Sequence, residues 1–135
     1  SSIITNSLSY YQNVLFLIGN MESSIFNRSL STIISNETDN SILIAALQAA
    51  ANIGYDPENI LLDSIQKLSY KSIAHNQRIA QHLCDAVYEI CRYMGKPALF
   101  TKGRQILSHL LNNTSDARTK AIASITMEKI IALQM

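Results

Sequence analysis

The stretch Ile53-Gly54-Tyr55-Asp56-Pro57-Glu58-Asn59-Ile60-Leu61-Leu62-Asp63-Ser64-Ile65 reads as the junction between two helices. Gly54 is the residue type that most readily closes a helix in a left-handed turn. Asp56 offers a carboxylate to the free amides of a new helix, and Pro57 suits its first position, where a missing N–H costs nothing. One helix therefore ends at Gly54, and another starts behind Asp56 and continues to about Tyr70.

Working outward, a shift of 35 residues lays Ile18-Gly19 on Ile53-Gly54, Ile25 on Ile60, Phe26 on Leu61, Leu30 on Ile65 and Ile33 on Leu68. A shift of 41 lays Ile42 on Leu83, Ala45 on Ala86, Ala46 on Val87, Ala50 on Cys91 and Gly54 on Gly95. A third, of 39, carries Leu83 to Ile122, Ala86 to Ile125, Cys91 to Ile130 and Met94 to Leu133. Periods of this length with two helices each are the signature of an α-solenoid, in which no unit buries its apolar faces alone.

Apolar spacing and stop signals give seven helices. The first runs from about Ile3 to Ile18, and the second from Glu22 to Ile34. The third starts behind Thr38, Asp39 or Asn40 and ends at Gly54; the fourth is the one behind Asp56. The fifth extends from Ser72 or His75 to Met94. Pro97 opens the sixth, whose interior Gly103 costs about 1 kcal/mol against alanine. Asn112 to Thr114 break the chain, and Ser115 or Asp116 caps the seventh, which runs to the end. Short loops make consecutive helices antiparallel.

The junction quoted above resembles that of HEAT repeats of the phycobilin-lyase type, where a Gly ends one helix and Asp-Pro-Glu starts the next. Asn112-Asn113-Thr114-Ser115-Asp116-Ala117-Arg118 followed by Ala121 is similar to that family's loop, and His75-Asn76-Gln77-Arg78-Ile79-Ala80 is a looser version. The resemblance implies an all-α, right-handed solenoid of antiparallel helix pairs, about seven helices forming one domain over residues 1–135. The first unit departs from the pattern, with Asn20-Met21-Glu22 in place of Asp-Pro-Glu.

The composition agrees with helices joined by short loops. It is 47% hydrophobic and 16% charged, with only 4 Gly and 2 Pro, too few turn residues for many short strands. The longest clean apolar run, Val14 to Ile18, falls far short of the roughly 18 residues that span a bilayer. Both ends read as cut from a longer protein. Cys84 and Cys91 stand about 10.5 Å apart along one helix, too far for a disulfide. Free buried thiols favour a reducing compartment such as the cytoplasm. Arg28 faces six acids in residues 1–66, a net −5, while residues 67–135 carry +6. That asymmetry, with the bare faces of the terminal repeats, makes self-association at the repeat ends an expectation.

No catalytic set emerges. His82, Cys84 and Asp85 lack the i, i+4 geometry of a helical metal site, so neither metal nor cofactor is expected. His75, His82 and His109 have no nucleophile and orienting carboxylate at a telling spacing. Arg92, Lys96, Lys102 and Arg104 lie in a segment without acids, a candidate basic patch. With no Trp to stack bases, nucleic acid is not the expected partner. The repeat register gives a sharper set: Asn13, Gln48, Glu89 and Glu128 are polar at equivalent positions, and Asp85 shares a face with Glu89. These residues point to a scaffold that binds a protein or peptide along its inner helices. An enzyme or accessory of the HEAT-like lyase or glycosylase class, using residues 92–104, is the alternative, and a purely structural spacer the second.

Overall fold

Helices form wherever apolar side chains recur every three or four residues, and the ends are fixed by what satisfies the free amides and carbonyls. The computed structural model describes residues 13–14 and 26–135, and among these all regular structure is helical, with no strand. Six helices are defined: α1 (Asn27–Asn36), α2 (Asn40–Ile53), α3 (Ile60–Ser69), α4 (Gln77–Met94), α5 (Pro97–Asn113) and α6 (Ala117–Leu133), with a 3-10 turn at Ser72–His75 before α4. The helix expected at Ile3 to Ile18 lies outside the described residues except for Asn13 and Val14, which are helical. The expected start of the second, Glu22, lies outside them too.

Three helix starts are set by side chains from the residue just before. The Asp39 carboxylate accepts from the Ile42 amide at 3.1 Å, Asn76 accepts from Arg78 and Ile79, and Asp116 accepts from Thr119 at 2.8 Å. Gly54 (φ 64°) and Gly95 (φ 62°) close α2 and α4. At Gly54 a second constraint applies, because a Cβ there would sit 2.9 Å from Tyr93 Cβ.

The junction that decided the reading holds with one correction. Pro57 does not open the next helix: α3 begins at Ile60, after Asn59 has taken a left-handed conformation (φ 62°). Asp56 still caps it, from farther away, accepting from the amides of Leu61 at 3.1 Å and Leu62 at 2.8 Å. Its own amide donates to Met94 Sδ, so the turn is tied to the end of α4. The helix expected from Ser72 or His75 is likewise divided: Asn76 leaves helical geometry to cap α4, and the residues before it wind as the 3-10 turn.

Equivalent helices lie side by side. α2 packs on α4 and α4 on α6, while α1 packs on α3 and α3 on α5. Within units, α1 packs on α2 and α5 on α6. The core runs through all of them: Leu43, Cys84 and Ala123 are fully buried at matching positions of α2, α4 and α6, as are Ala50, Cys91 and Ile130 one or two turns on. Each fully buried Leu or Ile contributes about 1.5–3 kcal/mol. Gly103 has its reason here, since a Cβ would lie 2.8 Å from Cys91 Sγ and 3.2 Å from Val87 Cγ1. The glycine lets α5 approach α4 closely. Ile125, aligned with buried Ala86, is 58% exposed, because among the described helices α6 has α4 on one side and none on the other.

Candidate functional site

Small and polar residues alternate along the outer surface of α2. Ser41, Gln48 and Asn52 are exposed, and Ala45 and Ala51 are half-buried between them. Alanines fill little of the space between two helices, so the seam between α2 and α4 is left open. Among the described residues, several hollows lie along it, four of which share residues. The first, about 350 Å³, is lined by Asn13, Ser41, Ala45, Gln48, Asn52 and Arg78 among others. The second, about 310 Å³, adds His82 and Asp85. A third, about 470 Å³, is bounded by Asp85, Tyr88, Glu89, Arg92 and Lys129, and a fourth, about 210 Å³, by Gly54, Glu89, Arg92 and Tyr93.

Asn52 borders all four hollows, which makes them one groove. Ser41 meets Arg78 at one end and Gly54 meets Tyr93 at the other, so α2 and α4 run parallel along it. From Arg78 to Tyr93 the α4 side is about 22 Å long at 1.5 Å per residue.

Arg92 and Asp85 find their partners on α4 itself. The Arg92 guanidinium donates twice to Glu89, at 2.7 and 3.0 Å, and Glu89 in turn raises the Arg92 pKa. Gln81 donates to Asp85 at 2.9 Å. From α6, the Lys129 ammonium stands 4.3 Å over the Tyr88 ring, a cation–π contact. Partial burial lowers the pKa of His82, with the positive charge of Arg78 adding to it and Asp85 opposing. No hydrogen bond among the described residues carries Gln48 or Asn52 across to α4. Each carboxamide carries two donor hydrogens and an acceptor oxygen, and neither is hydrogen-bonded to a described residue.

Of the residues singled out from sequence, Asn13, Gln48, Asp85 and Glu89 all line this groove. Glu128 is exposed on α6 but does not reach the hollows, where the next residue, Lys129, stands instead. The basic set does not form one surface. Arg92 belongs to the groove and is paired with Glu89; Lys102 reaches Asp63 on α3; Arg104 donates to Gln134; and Lys96 is exposed before α5. Sequence reasoning missed Asn52 and Arg78. Their signal was available, since Asn52 follows Gln48 by four residues, and Arg78 and His82 precede Asp85 by seven and three, the spacing of one helical face.

Burial governs the thiols. It pushes Cys84 up to about 12 and Cys91 up to about 11, so both stay protonated and packed. Among the described residues no group of three or more His, Cys, Asp and Glu side chains is placed to hold a metal ion, and no helix is long and apolar enough to cross a membrane. His109 stacks edge-on against Tyr70 at 4.4 Å, and His75 Nδ1 is buried without a hydrogen-bond partner; neither lines the groove. The chain matches no family model, no curated protein and no solved structure.

Proposed function

We propose that this chain is a HEAT-like, right-handed α-solenoid scaffold whose α2–α4 groove receives a protein partner. The repeat periods support the solenoid, as does the lateral order α2, α4, α6 beside α1, α3, α5. The observation that carries the binding role is the contrast in polar bonding between the α1/α3/α5 side and the α2–α4 groove. Side chains on the α1/α3/α5 side tie one element to another: Lys102 to Asp63, Lys71 to the Ser35 carbonyl, Ser31 to the Ile60 carbonyl at 3.4 Å. Those of the groove pair along α4, as Arg92 with Glu89 and Gln81 with Asp85, or form no hydrogen bond among the described residues, as Gln48 and Asn52, with Lys129 over Tyr88 the one contact from α6; that is what a surface with an outside partner requires.

Nothing in the groove argues for chemistry on that partner. Its groups suit recognition, by carboxamides, a paired Glu and Arg, and an aromatic under a cation. The reading is tested by placing a photo-crosslinking side chain at Asn52 in the groove or at exposed Lys67 on α3. The Asn52 position should give a discrete adduct in the source cell that disappears with Gln48→Lys and Glu89→Lys together. Equal adducts from both positions, or an adduct indifferent to those reversals, would remove the groove from consideration.

A further inference from the structure

The groove's two carboxamides, neither hydrogen-bonded to a described residue, have a spacing that selects among partners. Gln48 and Asn52 are one turn apart on α2, about 6 Å along the axis. In an extended chain the amides that point the same way recur every second residue, about 6.6 Å. A helical partner consumes its main-chain amides internally and offers such residues nothing. An extended chain offers them a donor and an acceptor at nearly the right interval.

Charge adds the direction of fit. Arg92 is already committed to Glu89, and Lys129 to the face of Tyr88. Among the described residues the one hydrogen bond to Asp85 comes from the neutral amide of Gln81, and no ion pair involves it or Arg78. Both line the hollows that Gln48 and Asn52 border. They stand seven residues apart, two turns or about 10.5 Å. Same-face positions of an extended chain lie about 6.6 Å apart at two residues and about 13 Å at four, bracketing that distance within the reach of flexible side chains.

We infer that the groove takes an extended peptide segment. Gln48 and Asn52 hold its main chain, Asp85 takes a lysine or arginine side chain, and Arg78 takes an acidic one two or four residues away. This deepens the reading of the groove as the partner-binding face and rests on it. Because Arg78 and Asp85 carry opposite charges, segments carrying charge of only one sign are disfavoured at one of the two positions.

The test is selection of a random nonapeptide library on phage against the intact chain, counter-selected on a Gln48→Arg/Asn52→Arg variant that melts at the same temperature. Enriched sequences should pair a basic and an acidic residue two or four positions apart. Synthesised, they should lose at least about tenfold in affinity to the Asp85→Lys protein, the scale of a charge-assisted contact. N-methylation of two alternate main-chain amides on the bound face should cost a similar factor, whereas methylation of the other set should cost little. No enrichment over the counter-selected variant, or selected peptides indifferent to both Asp85→Lys and N-methylation, would overturn the inference. If crosslinking at Asn52 still depends on Gln48 and Glu89 in that event, the groove remains the binding face and its partner is a folded surface. If neither experiment responds, the groove itself is wrong.

Discussion

The two sets of helices are built by different rules. α2, α4 and α6 each begin at a side chain immediately before them, Asp39, Asn76 and Asp116, which accepts from the first-turn amides. α1, α3 and α5 have no such cap at the adjoining residue. α3 borrows Asp56 from across a turn, and α5 starts with Pro97, which has no amide to satisfy. One layer caps its helices from the adjoining residue, with Gln77 of α4 also donating to Asp116 before α6, and its groove residues Gln48 and Asn52 form no hydrogen bond among the described residues. The other depends on bonds to its neighbours. On the proposed reading the bridged layer carries stability and the self-capped one carries recognition.

The strongest way to break this comparison is at its two aspartates. Asp56 is fully buried, whereas Asp116 is partly exposed. Asp56→Ala strips an acceptor from two buried amides and should cost about 2–3 kcal/mol in a denaturant melt. Asp116→Ala, at a more exposed cap, should cost less. Their pH responses should run in opposite directions. Burial raises the Asp56 pKa above its ordinary 3.8, outweighing the amides that favour the anion, so the folded chain takes up this proton before the unfolded one. Acidification through the range just above 3.8 therefore adds stability at Asp56. The Thr119 hydroxyl and amide lower the Asp116 pKa, so its contribution is complete above 3.8 and is lost as pH falls through the lower, folded value. Asp56→Asn should abolish the gain and Asp116→Asn the loss. Melts of the two variants that change identically with pH would contradict the assignment.

Gly103 is the next test. Alanine there gains about 1 kcal/mol in helix propensity but drives a methyl toward Cys91 Sγ, and overpacking of that kind costs about 1–3 kcal/mol. A net loss is expected, recovered when Gly103→Ala is combined with Cys91→Ala, since the two atoms share one space. Additive losses would place the strain elsewhere.

Smaller still is Lys102→Ala, which unties α5 from α3. Asp63 is about half exposed in this pair, so a loss below about 1 kcal/mol is expected, shrinking with salt and leaving partner binding untouched. Smallest of all, Gln48→Ala and Asn52→Ala should change stability by no more than about 0.5 kcal/mol while weakening binding. If they destabilise the fold more than Lys102→Ala does, the division between the layers fails.

The same division explains what could be read from the residues alone. α2 and α6 were legible nearly to the residue because Asp39, Gly54 and Asp116 act locally, within three or four positions. The start of α3 was misplaced because Asp56 acts across a turn that Asn59 makes by going left-handed, and no short-range signal distinguishes that from Pro57 opening the helix. Gly103 registered only as a cost, since its purpose lies with Cys91 and Val87 on another helix. At the groove, Gln48 and Glu89 were visible through repeat register, and Asp85 through the helical face it shares with Glu89. Asn52 was not, because its importance comes from Ala45 and Ala51, which leave the room around it. Register also chose Glu128 over Lys129, and a one-residue difference in how α6 lies against α4 decides which of the two reaches the hollow.

The central claim is that the open polar groups between α2 and α4 are the working surface. Backbone amide shifts of the ¹⁵N-labelled chain, followed while a peptide selected on it is titrated in, test this most directly. The account predicts that the perturbed amides cluster at Ser41 to Asn52 and Arg78 to Tyr93, with α3 and α5 unmoved. Perturbations centred on Lys67, Lys102 and Arg104, with Gln48 and Asn52 silent, would contradict it.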